Sequence, residues 1–131
     1  MIDVEQYIFN ALYDTMAPLC AENAFKSVPT PNPTVFPTVT LFEMDNRTDT
    51  TRNSNSGHED FAVLTYQAHV YATSRQKCRE VYAALDEALT GMNMTRLSGT
   101  FSPNLGNTRV YEYVARYRVR VADDGCLFRA G

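Results

Sequence analysis

Histidine is the commonest general base near neutral pH, and an acid–base or nucleophilic site needs such a group held beside a suitable partner. The histidines here are His58 and His69 alone. His58 opens the triplet His58-Glu59-Asp60, three potential metal ligands side by side. Adjacent residues on a flexible loop rarely define tetrahedral or octahedral geometry, so metal binding is not expected. His69 alternates with Gln67 and Tyr71 along an apolar run. Such a row could be catalytic, but is more often the wet face of a sheet or a subunit contact. The sequence carries no G-x-x-x-x-G-K-[ST], G-x-G-x-x-G, G-x-S-x-G or H-E-x-x-H, the starting residues of phosphate cradles, nucleophile elbows and zincin helices. No catalytic, cofactor-binding or metal residue is assigned, no cofactor is expected, and the chain is expected not to be an enzyme.

Arg116, Arg118 and Arg120 form a different kind of row. Guanidinium groups repeated on one strand face could grip phosphates or carboxylates through bidentate contacts. Three readings stand: a solvated face or an edge strand blunted by charge, pairing with acids of a neighbouring subunit, or direct DNA contact. Lys and Arg total 12 against 15 Asp and Glu, for a net charge of -3, which argues against bulk attraction to DNA or anionic lipid.

Cys20, Cys78 and Cys126 are odd in number, far apart and without a C-x-x-C pair. They suggest neither a disulfide framework nor a structural zinc site, and read as buried or unremarkable thiols. The start MIDVEQYIFNAL lacks the basic n-region and long apolar run of a secretory signal. The sequons Asn46-Arg47-Thr48 and Asn93-Met94-Thr95 are then expected to be chance matches. No apolar run approaches the roughly 20 residues that span a bilayer. These features predict synthesis in a reducing cytoplasm and no membrane partner.

The elements that must position these residues follow from periodicity. With 131 residues, 44% of them hydrophobic and 21% charged, a single domain over residues 1–131 can hold itself by its core. Asp3 with Gln6 matches a capping box, and Val4, Tyr7, Ile8, Ala11 and Leu12 repeat with helical spacing, predicting a helix over about 4–17 that Pro18 ends. Residues 24–28 are a short alternating run. Pro29, Pro31, Pro33 and Pro37 then make a semi-rigid extended connector, and residues 38–44 alternate as a strand. From Asp45 to Asp60 there is no aliphatic or aromatic side chain, which predicts a mobile polar loop, long enough to ask for a functional reason.

Phe61–Ala72 predicts a long strand with Ala62, Leu64, Tyr66, Ala68 and Val70 on one face. Thr73 with Gln76 predicts the cap of a helix running to Gly91, which would serve as its C′ terminator. A strand over 93–101, a turn at 102–107 and a final strand follow. In the last, Tyr111, Tyr113, Ala115, Tyr117, Val119 and Val121 oppose Glu112 and the arginine row. Strands with one strongly apolar side predict an α+β fold, an antiparallel sheet carrying two main helices on one face.

As a set, these stretches resemble the tail terminator proteins of long-tailed bacteriophages, also called tail completion or minor tail proteins, which share their fold with head–tail neck proteins. The stretches are MIDVEQYIFNAL, the approach VPTPNPTVFPTVTLFE, the excursion DNRTDTTRNSNSGHED, FAVLTYQAHVYATS leading into RQKCREVYAALDEALTGM, and RVYEYVARYRVRV. The resemblance is architectural and rests on the order of elements. It implies a structural virion protein, made in the host cytoplasm, that assembles as a ring, usually six-fold, on the end of the tail tube. Such a ring stops polymerisation and presents a surface for the head. Its partners would be further copies of itself, the tail tube protein and a head–tail connector or neck protein, with DNA passing through unread. A head-closure or connector role is the neighbouring alternative, and a non-viral ferredoxin-like binding module a more distant one. Under this resemblance Gln67, His69, Tyr71, Arg116, Arg118 and Arg120 are expected at a subunit or partner interface. Arg47, Asp49, Arg52 and His58 are expected on a loop that orders on assembly.

Overall fold

A computed structural model describes residues 4–21, 24–28, 33, 35–48, 61–102, 109–122 and 124–128. Two α-helices, α1 (Glu5–Met16) and α2 (Arg75–Gly91), lie on one face of a sheet built from β1 (Phe25–Lys26), β2 (Thr38–Thr48), β3 (Phe61–Ala72), β4 (Thr95–Ser102), β5 (Tyr111–Ala122) and β6 (Leu127–Phe128). The strand order is β1-β2-β3-β5-β4, with β6 also paired to β5. This is the expected α+β class. The sheet is mixed rather than wholly antiparallel, because β1 runs parallel to β2. Parallel neighbours need a crossover connection, and here it falls in the proline-bearing stretch between Lys26 and Thr38.

Burial explains why each run took its form. Ile8, Leu12 and Met16 recur at fourfold spacing along α1, and Cys78, Val81, Tyr82, Leu85 and Leu89 along α2, so each helix has one apolar stripe. The stripes close over Val39, Leu41, Leu64, Tyr66, Ala68, Val70, Tyr117, Val119 and Val121, the alternate residues of the three long strands. Each fully buried aliphatic side chain contributes about 1.5–3 kcal/mol. The strand β3 alternates half-buried and buried residues from Phe61 to Val70, as period-2 patterning requires.

Several local details depart from the sequence reading. The first helix has Val4 at its N-cap without a side-chain bond; Asp3 lies outside the described residues, and Gln6 Nε2 donates instead to Asn10 Oδ1 at 2.9 Å. In α2 the cap is Ser74 rather than Thr73, its hydroxyl accepting from the Lys77 amide at 3.1 Å. Gly91 is the last helical residue rather than the terminator; the left-handed residue is Asn93, at φ 67°, a conformation asparagine tolerates better than most. The strand β2 continues to Thr48, so the segment expected to be a polar loop from Asp45 begins as strand. Its residues lack apolar side chains but pair by backbone with β3 across a bulge between Glu43 and Asp45. Residues 49–60 lie outside the described set. The pair β6 was not foreseen; Gly125, at φ 86°, turns the chain back onto β5.

Candidate functional site

The face of the sheet away from the helices gathers most of the residues singled out by type. Register decides which meet: Gln67 lies opposite Arg116, Thr65 opposite Arg118, Val63 opposite Arg120 and Tyr71 opposite Glu112. The bulge at Met44 shifts the phase of β2, so that Asp45 pairs with Thr65 and Arg47 with Val63, placing both on this same outer face.

Four of the six expected interface residues form one hydrogen-bonded system. Arg116 Nε donates to Gln67 Oε1 at 3.1 Å. Gln67 Nε2 lies 2.6 Å from His69 Nε2, and His69 Nδ1 lies 2.6 Å from Glu112 Oε2. An amide nitrogen can only donate, so Nε2 of His69 accepts, and the neutral ring carries its proton on Nδ1 and donates it to Glu112. Glu112 also takes the hydroxyl of Tyr71, and burial first, then this carboxylate, pushes the tyrosine well above its ordinary range. The imidazole is stacked between Phe42, at 5.7 Å and 13°, and Tyr71, at 6.0 Å and 10°. Both ring nitrogens are engaged and both ring faces are covered, which fixes the side chain.

Arg118 and Arg120 stand outside this system. Arg118 is exposed and Arg120 half-buried. Tyr71, expected on a wet face, is instead buried at 5% exposure, in contact with Glu112 and the His69 ring. Of the expected assembly-loop residues, Arg47 is exposed on β2 with Nε 2.6 Å from Asp45 Oδ2; Asp49, Arg52 and His58 lie outside the described residues. Glu112 was legible on the arginine side of its strand, but nothing in the spacing marked it as the partner of His69. Phe42, which stacks on that ring, gave no signal beyond its place in an alternating run.

A second polar system lies under α2. Tyr117 donates to Asp86 Oδ1 at 2.5 Å and shares a 2.7 Å bond with the Tyr82 hydroxyl, which Arg96 Nη1 approaches at 3.5 Å. Arg75 and Arg79 cover the ring of Phe101 at 4.1 and 5.5 Å, a cation–π arrangement. The thiols are held protonated: burial pushes Cys20 and Cys78 each up to about 11, and the neighbouring Asp124 raises Cys126. Among the described residues no cluster of three or more His, Cys, Asp or Glu is placed to hold a metal, and no helix is long and apolar enough to cross a membrane.

No family model matches the chain, and no curated protein matches it. Among solved structures, a chain from the virion of a native gene transfer agent particle is similar in fold. The two superpose with a TM-score of 0.66 over 90% of this chain and 93% of that one, at 17% sequence identity.

Proposed function

We propose that this protein is a structural component of a phage-like virion, a tail-terminator-like protomer. It forms a ring, six-fold in the family it resembles, that caps the tail tube, ends polymerisation and offers the surface on which the head is joined. One observation carries the reading: a fold shared nearly end to end with a chain of a gene transfer agent virion. The outer face supports it, since a sheet of polar and cationic residues with an immobilised His69 suits flat protein contact better than turnover of a small molecule. The role is non-enzymatic, and the partners are further copies of the chain, the tube protein and a connector or neck protein, with DNA passing through.

The test is electron microscopy of particles from the natural host carrying a gold-labelled tag on this protein. Label at the head–tail junction, with tails of uncontrolled length in a deletion strain, is expected. Label at the junction with tails of normal length would move the protein to head closure, and particles free of label would remove it from the virion.

A further inference from the structure

The helices leave a groove on their own side of the molecule. It is lined by Tyr7, Ala11 and Thr15 of α1 and by Ala84, Glu87 and Ala88 of α2. Past Gly91 and Met92, which line both, it runs into a cleft reaching Asp124. Alanine, threonine and glycine walls leave room for an inserted side chain, and Tyr7, at 60% exposure, presents an aromatic face at the rim.

The chemistry of the groove has one sign. The charged residues lining it, among those described, are Glu87 and Asp124, both acids. The amide of Cys126 donates to Asp124 at 3.0 Å, fixing that carboxylate at the rim. The carbonyl end of α2 also opens here, with no basic residue in its last turn, and a helix C-terminus carries partial negative charge. Carboxylate, helix end and tyrosine ring all favour a cation, and a planar guanidinium can use the carboxylate and the ring together.

The opposite side of the same molecule carries the complementary group. Arg116 is held by Gln67 and Arg120 is half-buried. Arg118 is exposed and makes no hydrogen bond or ion pair among the described residues. Resting on the ring reading above, we propose that the groove between α1 and α2 receives the outer sheet face of a second copy, with Arg118 of one copy seated on Glu87 and Tyr7 of the next. Groove and arginine lie on opposite faces of the sheet, so the contact is front to back. Such a contact is heterologous, and it makes a ring when the rotation between copies closes.

Charge exchange tests the docking. Arg118 and Glu87 are both exposed, so neither Arg118→Glu nor Glu87→Arg should disturb the fold, which far-ultraviolet circular dichroism checks. Analytical ultracentrifugation should show each single variant shifted toward monomer, with at least a tenfold weaker association that salt weakens further. The double variant, or an equimolar mixture of the two single variants, should assemble again, because every contact then pairs opposite charges. Single variants that assemble as the wild type does, a double variant no better than either, or a wild type that stays monomeric would each overturn the docking. Unaffected rings would leave the virion role standing. Particles free of the protein would overturn that role while charge-swap rescue still established the docking.

Discussion

Tyr117→Phe removes a single oxygen from the middle of the protein, and two independent consequences can be worked out. Tyr117 is fully buried, and its hydroxyl donates to Asp86 Oδ1 at 2.5 Å while bonded to Tyr82 at 2.7 Å. A hydrogen bond to a charged acceptor contributes about 1.5–3 kcal/mol. Asp86 is only half-buried, so water recovers part of the loss, and a cost of about 2 kcal/mol at neutral pH is expected. For a chain of this length that lowers Tm by roughly 5–10 °C.

The second consequence is in the alkaline range. Burial raises Tyr117, Tyr82 and Tyr71 above the ordinary tyrosine value, with Asp86 adding to the first and Glu112 to the last. Above about pH 10 the unfolded chain releases these protons while the folded one keeps them, so the unfolded state binds fewer protons and stability falls as pH rises. It is fully present below that pH. Each tyrosine steepens the fall by about 1.4 kcal/mol per pH unit. Tyr117→Phe removes one of these tyrosines and leaves the other two and the raised thiols of Cys20 and Cys78 in place, so its alkaline limb should be shallower by up to about 1.4 kcal/mol per pH unit. Urea unfolding followed by circular dichroism from about pH 7 to 11 measures both effects. A variant as stable as the wild type at neutral pH, or with an equally steep alkaline limb, refutes the reasoning.

Two further substitutions probe the packing around these networks. Gly99→Ala would place a Cβ 2.6 Å from the Tyr113 hydroxyl and 3.0 Å from its ring; that ring is held between Tyr82 at 4.2 Å and Phe101 at 5.0 Å, so a loss of about 1–3 kcal/mol is expected in the urea midpoint, and no change would mean the ring moves freely. His69→Ala strips the half-buried Glu112 carboxylate of its imidazole partner, and should cost about 1–2 kcal/mol by the same measurement, whereas an unaltered midpoint would show that the hydrogen-bonded row does not contribute to stability.

Periodicity was enough to read the helices and long strands, because burial imposes it directly. Phe61–Ala72 begins and ends where its alternation does, and the outer position of Arg116 and Arg118 follows from the same period. What stayed hidden depends on contacts distant in sequence. The 67–116, 69–112 and 71–112 contacts need the β3–β5 register, and register is a property of two strands together. The strand at residues 45–48 was read as loop because its side chains offer no burial; backbone pairing to an already formed neighbour holds it, a source of order that composition does not record. The helix caps slipped by a residue for a local reason: Thr73 and Ser74 are both competent, and only the geometry of the chain leaving β3 selects between them.

The edges of the sheet bear on how copies can join. An exposed, unpaired strand edge invites another chain to add to it, and proteins that avoid this blunt their edges. On one side the last strand is β1, only two residues long. Beyond it the Glu43 amide of β2 is taken by Glu5 Oε2 of α1 at 2.9 Å, so a carboxylate occupies the donor that an added strand would need. On the other side β4 is bulged between Arg96 and Ser98, carries the Arg96 charge, and has Gly99 at its centre. A strand adding to β4 would meet an interrupted ladder, and one adding to β2 along residues 39–43 would have to displace β1 and Glu5. Edge addition is thus opposed on both sides, whereas the proposed docking through the faces costs no native contact. Those faces differ in chemistry, with Arg116 and Arg118 exposed outside and Glu87 and Asp124 along the helix groove, the difference on which the proposed front-to-back docking rests. In the proposed ring such a contact would give every copy the same direction, as a cap on a polar tube would require.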